Sequence, residues 1–198
     1  MPKIQLSTEE MQLVSNSHWI LTKHRIIEKV YHLFGNLSEQ MQSALQVPGI
    51  LPEAVLSLPP KISKGEQYEA MPYVVLDYPR YFTKEDVLAV RSFFWWGHYF
   101  SITLHLKGNY CKLYYKKIAA AVAAKKLNDH YFSVSGNEFS FNLESENYTQ
   151  ENVFVRLANE EQSIPFLKLS YKIPFEQWPH AEMEFMHAFQ QLLNLMQD

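Results

Sequence analysis

The sequence predicts a single α+β domain over residues 1–198, an antiparallel sheet with helices packed mainly on one face. Two patterns carry this prediction. Residues 99–107 alternate apolar and polar side chains, as a strand with one buried face does. Residues 110–127 place apolar side chains on one face at helical spacing. Half-polar strands are typical of antiparallel sheets, so the first pattern also predicts strand direction.

Composition agrees with a folded domain and excludes several classes. A chain of 198 residues that is 47% hydrophobic can bury a substantial core. Its single cysteine, Cys111, cannot form an internal disulfide, which favours a reducing compartment. The first residues lack a signal-peptide pattern, and no apolar run approaches the roughly 20 residues of a membrane span. We therefore expect a cytoplasmic protein that does not contact a membrane.

The N-terminal third is predicted to be helical and then irregular. Ser7 and Glu10 have the spacing of a capping box, which predicts a helix start. Apolar residues at helical spacing continue to Leu37, with a break expected at Gly35 and a short further helix to about Gln46. Residues 47–72 contain five prolines and many aliphatic side chains, which predicts a proline-rich arm packed on the body.

The middle of the chain is predicted to alternate strand and helix. Residues 73–78 favour a strand that ends at Pro79. Thr83 and Asp86 again have capping-box spacing, so we expect a helix from about Lys84 to Trp96, ended by Gly97. The alternating strand 99–107 and the helix 110–127 follow.

The C-terminal third is predicted to hold strands and a last helix. Alternating apolar residues predict a hairpin over residues 132–143 and two strands, at 153–157 and 167–173. Pro179 suits the first turn of a final helix, whose buried stripe includes Ala181, Phe185 and Phe189.

Four consecutive aromatic residues end the helix predicted at 84–96: Phe93, Phe94, Trp95 and Trp96. Successive helical residues rotate by about 100°, so these side chains sweep roughly 300° and cannot all face one core. Two interpretations stay open. Either the helix is buried on nearly every side, or one aromatic side chain remains for a protein partner or a second copy of the chain.

The polar face of the predicted sheet, with its bordering loops, is the candidate ligand site. Its candidate residues are Asp77, Arg80, His98, Tyr99, His105 and, beside them, Lys107. A carboxylate, imidazoles and a guanidinium suit a small anionic ligand or, alternatively, acid–base catalysis by an enzyme. The competing interpretation is an ordinary solvated sheet face. The sequence assigns no catalytic residue and, lacking any phosphate-binding or dinucleotide motif, no cofactor.

Charge and histidine patterns give weaker hypotheses. Residues 87–128 contain seven bases and no acid, and the helix 110–127 interleaves tyrosine with lysine, as some nucleic-acid surfaces do. The chain as a whole carries a charge of −3, so nucleic acid is the least favoured partner. Two helical histidine and glutamate trios, His24, Glu28 and His32 and the later His180, Glu184 and His187, lie opposite apolar stripes. They are expected to be solvated, and no metal is predicted.

Overall fold

The computed structural model describes residues 4–47, 49–124, 129–133, 136–151 and 164–197. In these residues one six-stranded antiparallel sheet has helices packed against it, which confirms the α+β prediction. The strands are β1 (Lys61–Tyr68), β2 (Met71–Phe82), β3 (Val87–Trp95), β4 (Tyr99–Lys107), β5 (His130–Ser133) and β6 (Phe166–Ile173). Their order across the sheet is β1-β2-β3-β4-β6-β5.

The α-helices of the described residues are α1 (Thr8–Val14), α2 (Ser17–Ala44), α3 (Glu53–Leu56), α4 (Asn109–Ala123) and α5 (Ala181–Asn194). A 3-10 helix, Phe175–His180, leads into α5 and contains Pro179. The predicted capping box at Ser7 and Glu10 is present at the start of α1. Among the described residues, no helix combines the length and apolarity that crossing a membrane requires.

The inner face of the sheet is the face covered by α2, α4 and α5. On β4 it consists of the residues predicted to be apolar and buried, Phe100, Ile102, Leu104 and Leu106, none of which is exposed. Phe34 of α2 and Phe185 of α5 pack edge to face between the helices and the sheet, with ring centroids 5.7 Å apart. The main hydrophobic core therefore lies between this face and the helices.

The helix predicted at residues 84–96 is wrong, because this segment is strand β3. Thr83 and Asp86 do form side-chain to backbone hydrogen bonds, but these close the turn between β2 and β3 instead of capping a helix. Both faces of β3 are buried, so it lacks the polar and apolar alternation that identifies a half-exposed strand. Its many β-branched and aromatic residues are the signal that favours a strand.

Because residues 87–95 form a strand, the four aromatic residues also lie in different surroundings from those predicted. Phe94 lies on the inner face, whereas Phe93 and Trp95 lie on the opposite face, and all three are 1 or 2% exposed. Trp96 is partly buried against the main core. Alternation across a strand lets four bulky neighbours enter two separate cores, which favours the core interpretation of these residues over the interface.

Three other expectations are wrong in part. Helix α2 continues through Gly35 without the expected break, since its apolar stripe packs on the core along this stretch. Strand β2 continues past Pro79, at a register shift where the ladder needs no amide from proline. The proline-rich arm contains α3 and strand β1, although Leu51 and Val55 do pack in the main core.

The hairpin predicted over residues 132–143 is also wrong. Strand β5 ends at Ser133, and residues 136–151, here called the cover segment, contain turns and one isolated bridge from Thr149 to Phe132. Strand β6 and the described part of helix α4 agree with their predictions, and the final helix is present but begins at Ala181, after the 3-10 helix that contains Pro179. The strand predicted at residues 153–157 lies outside the described residues.

Candidate functional site

The outer face of the sheet is the face opposite the helices, and the cover segment lies over it. On β4 it consists of Tyr99, Ser101, Thr103 and His105, which are at most 7% exposed. Phe141, Leu143 and Tyr148 of the cover segment pack there against aromatic residues of the strands. The sequence-based expectation of a solvated polar face is therefore wrong for the described structure.

The polar groups of the outer face hold the backbone of the cover segment. Tyr99 accepts a hydrogen bond at its hydroxyl from the Leu143 amide at 2.7 Å, and Tyr68 accepts one from the Phe141 amide at 2.6 Å. Lys168 donates from Nζ to the carbonyl oxygens of Glu138 and Ser140. A segment without regular structure needs such partners for its buried amides and carbonyls, which explains why this buried face is polar.

A cavity of about 360 Å³ opens between the outer face and residues 138–141 of the cover segment. Strand register explains its position. Arg80, Ala89 and His105 are direct neighbours across β2, β3 and β4, so they form one row across the outer face. Ala89 in the middle of this row has the smallest side chain of the three and belongs to the cavity lining, although it is itself buried.

The cavity combines charged and apolar walls. Its permanently charged side chains among the described residues are the cations Lys61, Arg80, Arg91 and Lys107 and the carboxylates Asp77 and Glu138. Its apolar walls include Phe82, Val87, Phe139 and Phe141. With His105 neutral, the charged lining carries a formal charge of +2, which favours an anion.

Two ion pairs fix part of this lining. Arg91 donates to both carboxylate oxygens of Asp77, at 2.7 and 2.9 Å, in the bidentate geometry of the strongest protein ion pairs. Lys107 donates to Glu138 at 3.0 Å. These two pairs neutralise both carboxylates of the lining, so the surplus positive charge belongs to Arg80 and Lys61.

His105 and Lys168 are neighbours across β4 and β6, and both are buried. Burial, with the nearby charges of Lys168, Arg91 and Lys107, lowers the pKa of His105 to about 3. Burial also lowers the pKa of Lys168 to about 7, helped by Arg91 and opposed by Glu138. His105 is therefore neutral near pH 7, so its 3.7 Å contact with Glu138 is not an ion pair there.

Four of the six sequence-predicted candidates line this cavity: Asp77, Arg80, His105 and Lys107. The other two lie at the opposite end of β4, about 20 Å from His105 at the usual rise per residue. His98 is exposed in the turn after β3 and stacks on Trp95 at 3.5 Å, whereas Tyr99 is buried and holds the cover segment. The structure does not bring these two residues to the cavity.

Sequence reasoning missed Lys61, Arg91 and Glu138, which line the cavity, and Lys168, the cross-strand neighbour of His105. The sequence predicts a helix at Arg91, whereas its place beside Asp77 follows from the pairing of β2 with β3. Lys168 had a readable signal, because it alternates with Leu167 and Leu169 and therefore belongs to the outer face of β6. No local pattern indicates that Glu138 would lie over the sheet.

The trios around Glu28 and Glu184 remain surface features. Among the described residues, no group of three or more His, Cys, Asp or Glu side chains has an arrangement that could hold a metal ion. Cys111 is buried on the inner side of α4, where burial raises the pKa of its thiol to about 11. A protonated, buried thiol is typical of a core residue.

Comparisons of the chain with protein-family models, curated proteins and solved structures found no match.

Proposed function

We propose that this protein binds a small organic anion in the cavity between the outer face and the cover segment. The observation that carries the proposal is a pair of cations that no carboxylate of the described residues neutralises. No described carboxylate forms an ion pair with Arg80 or Lys61, although both side chains line the cavity. A cavity of about 360 Å³ suits a small molecule, at the lower end of usual ligand pockets.

Arg80 is the anchor that we assign to the acidic group. Its Nε donates to the carbonyl oxygen of Pro59 at 2.6 Å, which fixes the side chain beside the cavity. The terminal guanidinium nitrogens have further N–H groups suited to a carboxylate or phosphate. Lys61, the cross-strand neighbour of Asp77, adds a second positive charge at the same edge of the sheet.

The apolar walls determine the rest of the ligand. Phe82, Val87 and Phe139 line the cavity, and Phe82 and Phe139 are 45 and 68% exposed. An anion with an aliphatic or aromatic body would cover these surfaces and gain the hydrophobic contribution of that burial. A fully hydrated inorganic ion would leave them in water.

The alternative functions have less support. A partner bound through the aromatic segment would reach only the partly buried Trp96, because Phe93, Phe94 and Trp95 are buried within the chain. Nucleic acid bound to α4 would lose two of the three tyrosines of this helix as stacking partners, because Tyr114 and Tyr115 are 6 and 5% exposed. Acid–base catalysis by His105 would rely on a group with a pKa of about 3, a weak base near neutral pH.

The test is a titration of the ¹⁵N-labelled protein with hexanoate and benzoate, compared with hexanamide and benzamide. We expect the acids to bind about tenfold more tightly than the amides, because Arg80 favours a negative charge. Backbone signals of Arg80, Ala89 and His105 should shift. Equal affinity of acids and amides, or shifts elsewhere only, would contradict the proposal.

Two variants with a matched control sharpen this test. Ala89→Leu should abolish binding, because the larger leucine side chain would occupy space in the cavity that Ala89 lines. Arg80→Gln should weaken binding of the acids about tenfold and leave the amides unchanged. Lys84→Gln, an exposed lysine in the adjoining turn that does not line the cavity, removes the same charge and should have little effect. If Ala89→Leu and Arg80→Gln both bind the acids as tightly as the Lys84→Gln control does, the cavity is not the site.

A further inference from the structure

Two buried polar atoms at the cavity have no hydrogen-bond partner in the described structure. They are Nε2 of His105 and Oε2 of Glu138, and they lie 3.7 Å apart. This distance exceeds that of a hydrogen bond. The other carboxylate oxygen of Glu138 already accepts from Lys107 at 3.0 Å.

Such a pair is uncommon, because buried polar atoms nearly always have partners and each unpaired one needs an explanation. His105 lines the cavity and is only 7% exposed, so bulk water does not satisfy its ring nitrogen freely. Solvent reaches neither atom in the described structure, so a group between them needs a small shift of the Glu138 side chain. After that shift, one group about 2.8 Å from each atom would satisfy both. This group has to donate to the Glu138 carboxylate, which only accepts.

We propose that the bound anion carries a hydroxyl group that bridges His105 and Glu138, so that the ligand is a small hydroxy acid. The inference rests on the proposed function and names the second polar group of the same ligand. The hydroxyl donates to Oε2 of Glu138 and accepts from Nε2–H of His105. A hydroxyl can do both at once, because it has one donor hydrogen and two acceptor lone pairs.

The surrounding charge favours a hydroxyl over an amine. Lys168, Arg91 and Lys107 all lie close enough to His105 to oppose a positive charge on its ring. A ligand ammonium between His105 and Glu138 would meet the same three cations. A neutral hydroxyl avoids this repulsion and still makes the hydrogen bond to the carboxylate.

The strand register separates the acid from the hydroxyl within the ligand. Arg80 and His105 are two strands apart, so their Cα atoms are about 10 Å from each other at the usual strand spacing. Ala89 lies between them at the floor. The acidic group at Arg80 and the hydroxyl at His105 therefore belong to opposite ends of the ligand, with the apolar body above Ala89.

The experiment measures dissociation constants for straight-chain carboxylates of four to seven carbons, each compared with the same acid carrying a terminal hydroxyl. This series varies the distance between acid and hydroxyl. For at least one chain length, we expect the hydroxy acid to bind about tenfold more tightly, as a hydrogen bond to a carboxylate would give. Glu138→Gln and His105→Phe should each reduce this preference, measured as the ratio of the two dissociation constants within the same variant.

The outcomes separate the two proposals. If the plain acids bind in the cavity but no hydroxy acid binds more tightly, the hydroxyl bridge is wrong. The bridge is also wrong if the preference persists unchanged in both variants. If no acid in the series binds, the proposed function itself fails. Circular dichroism of each variant checks that the loss of preference is not a loss of folding.

Discussion

The two faces of the sheet are both buried, but different kinds of structure cover them. The inner face carries aliphatic and aromatic residues beneath helices, for example Leu104 beside Phe185 in one core. The outer face mixes aromatic residues with Ser, Thr, His and Lys beneath an irregular segment. Residues of one strand, such as Leu104 and His105, therefore lie in very different chemical surroundings.

The difference follows from the backbone of each cover. A helix satisfies most of its own amides and carbonyls, so the face beneath it can be wholly apolar. The cover segment has only a few turn hydrogen bonds of its own, and the sheet supplies further donors and acceptors such as Tyr99, Tyr68 and Lys168. An irregular cover also leaves space, and the cavity lies where residues 138–141 cross the small side chain of Ala89.

The largest expected effect is a loss of stability, compared between one phenylalanine on the inner face and one on the outer face of the sheet. Phe185→Ala should lower the free energy of unfolding by about 3–5 kcal/mol, because rigid helices and strands surround its ring. Phe141→Ala, in the cover segment, should cost less, because a segment without regular structure can settle into the space. Urea denaturation measures both. Equal losses would show that the cover segment is as rigid as the helices.

The next effect concerns two ion pairs of the outer face that differ in burial. Asp77→Asn should cost about 2 kcal/mol, because it leaves the partly buried guanidinium of Arg91 without its carboxylate. Glu144→Gln breaks the more exposed pair with Lys172 and should cost less than about 1 kcal/mol. Thermal and urea unfolding of the two variants compare them directly. The reverse order would contradict the burial of Asp77.

Lys168 should make stability depend on pH. Its pKa is about 7 in the folded protein and near the ordinary lysine value of 10.5 when unfolded, so the unfolded chain binds more protons between these values. Stability should therefore rise with pH from about 7, by up to roughly 1.4 kcal/mol per pH unit. Lys168→Met should flatten this slope. Comparing the two proteins between pH 7 and 9 cancels the titration of Cys111, which both retain. Parallel slopes would contradict the prediction.

The smallest expected effect on stability concerns helix α2, which covers the inner face. Gly35 is inside α2, and a Cβ added there meets no atom within 4 Å. Gly35→Ala should therefore raise the free energy of unfolding by about 0.5–1 kcal/mol, because alanine favours the helix. Gly97→Ala is the opposite control. Gly97 has φ +79° in the turn after β3, where alanine is strained, so this variant should be less stable than the original protein. Denaturant midpoints measure both changes, and anion binding should not change in either variant.

The candidate site could be predicted only in part, for reasons visible in particular residues. The alternation in β4 predicts that His105 and Lys107 share a face, as they do. Asp77 and Arg80, which also line the cavity, are candidates because of their charged side chains near a strand end. His98 was selected by the same chemical argument, but it lies at the far end of the strands. Residue type and strand assignment do not give register, which determines the distances between residues on different strands.

The sequence by itself determined the elements whose two sides differ in polarity: α4, α5, β4 and β6. Such patterns are local, because apolar residues at a period of two or 3.6 lie on one face wherever the element is placed. Only the tertiary structure decided the rest. Burial on both faces removed the alternation of β3, core packing carried α2 through Gly35, and the cover segment buried a face that its polarity predicted to be solvated. Each of these depends on what packs against the element, which no local window of sequence contains.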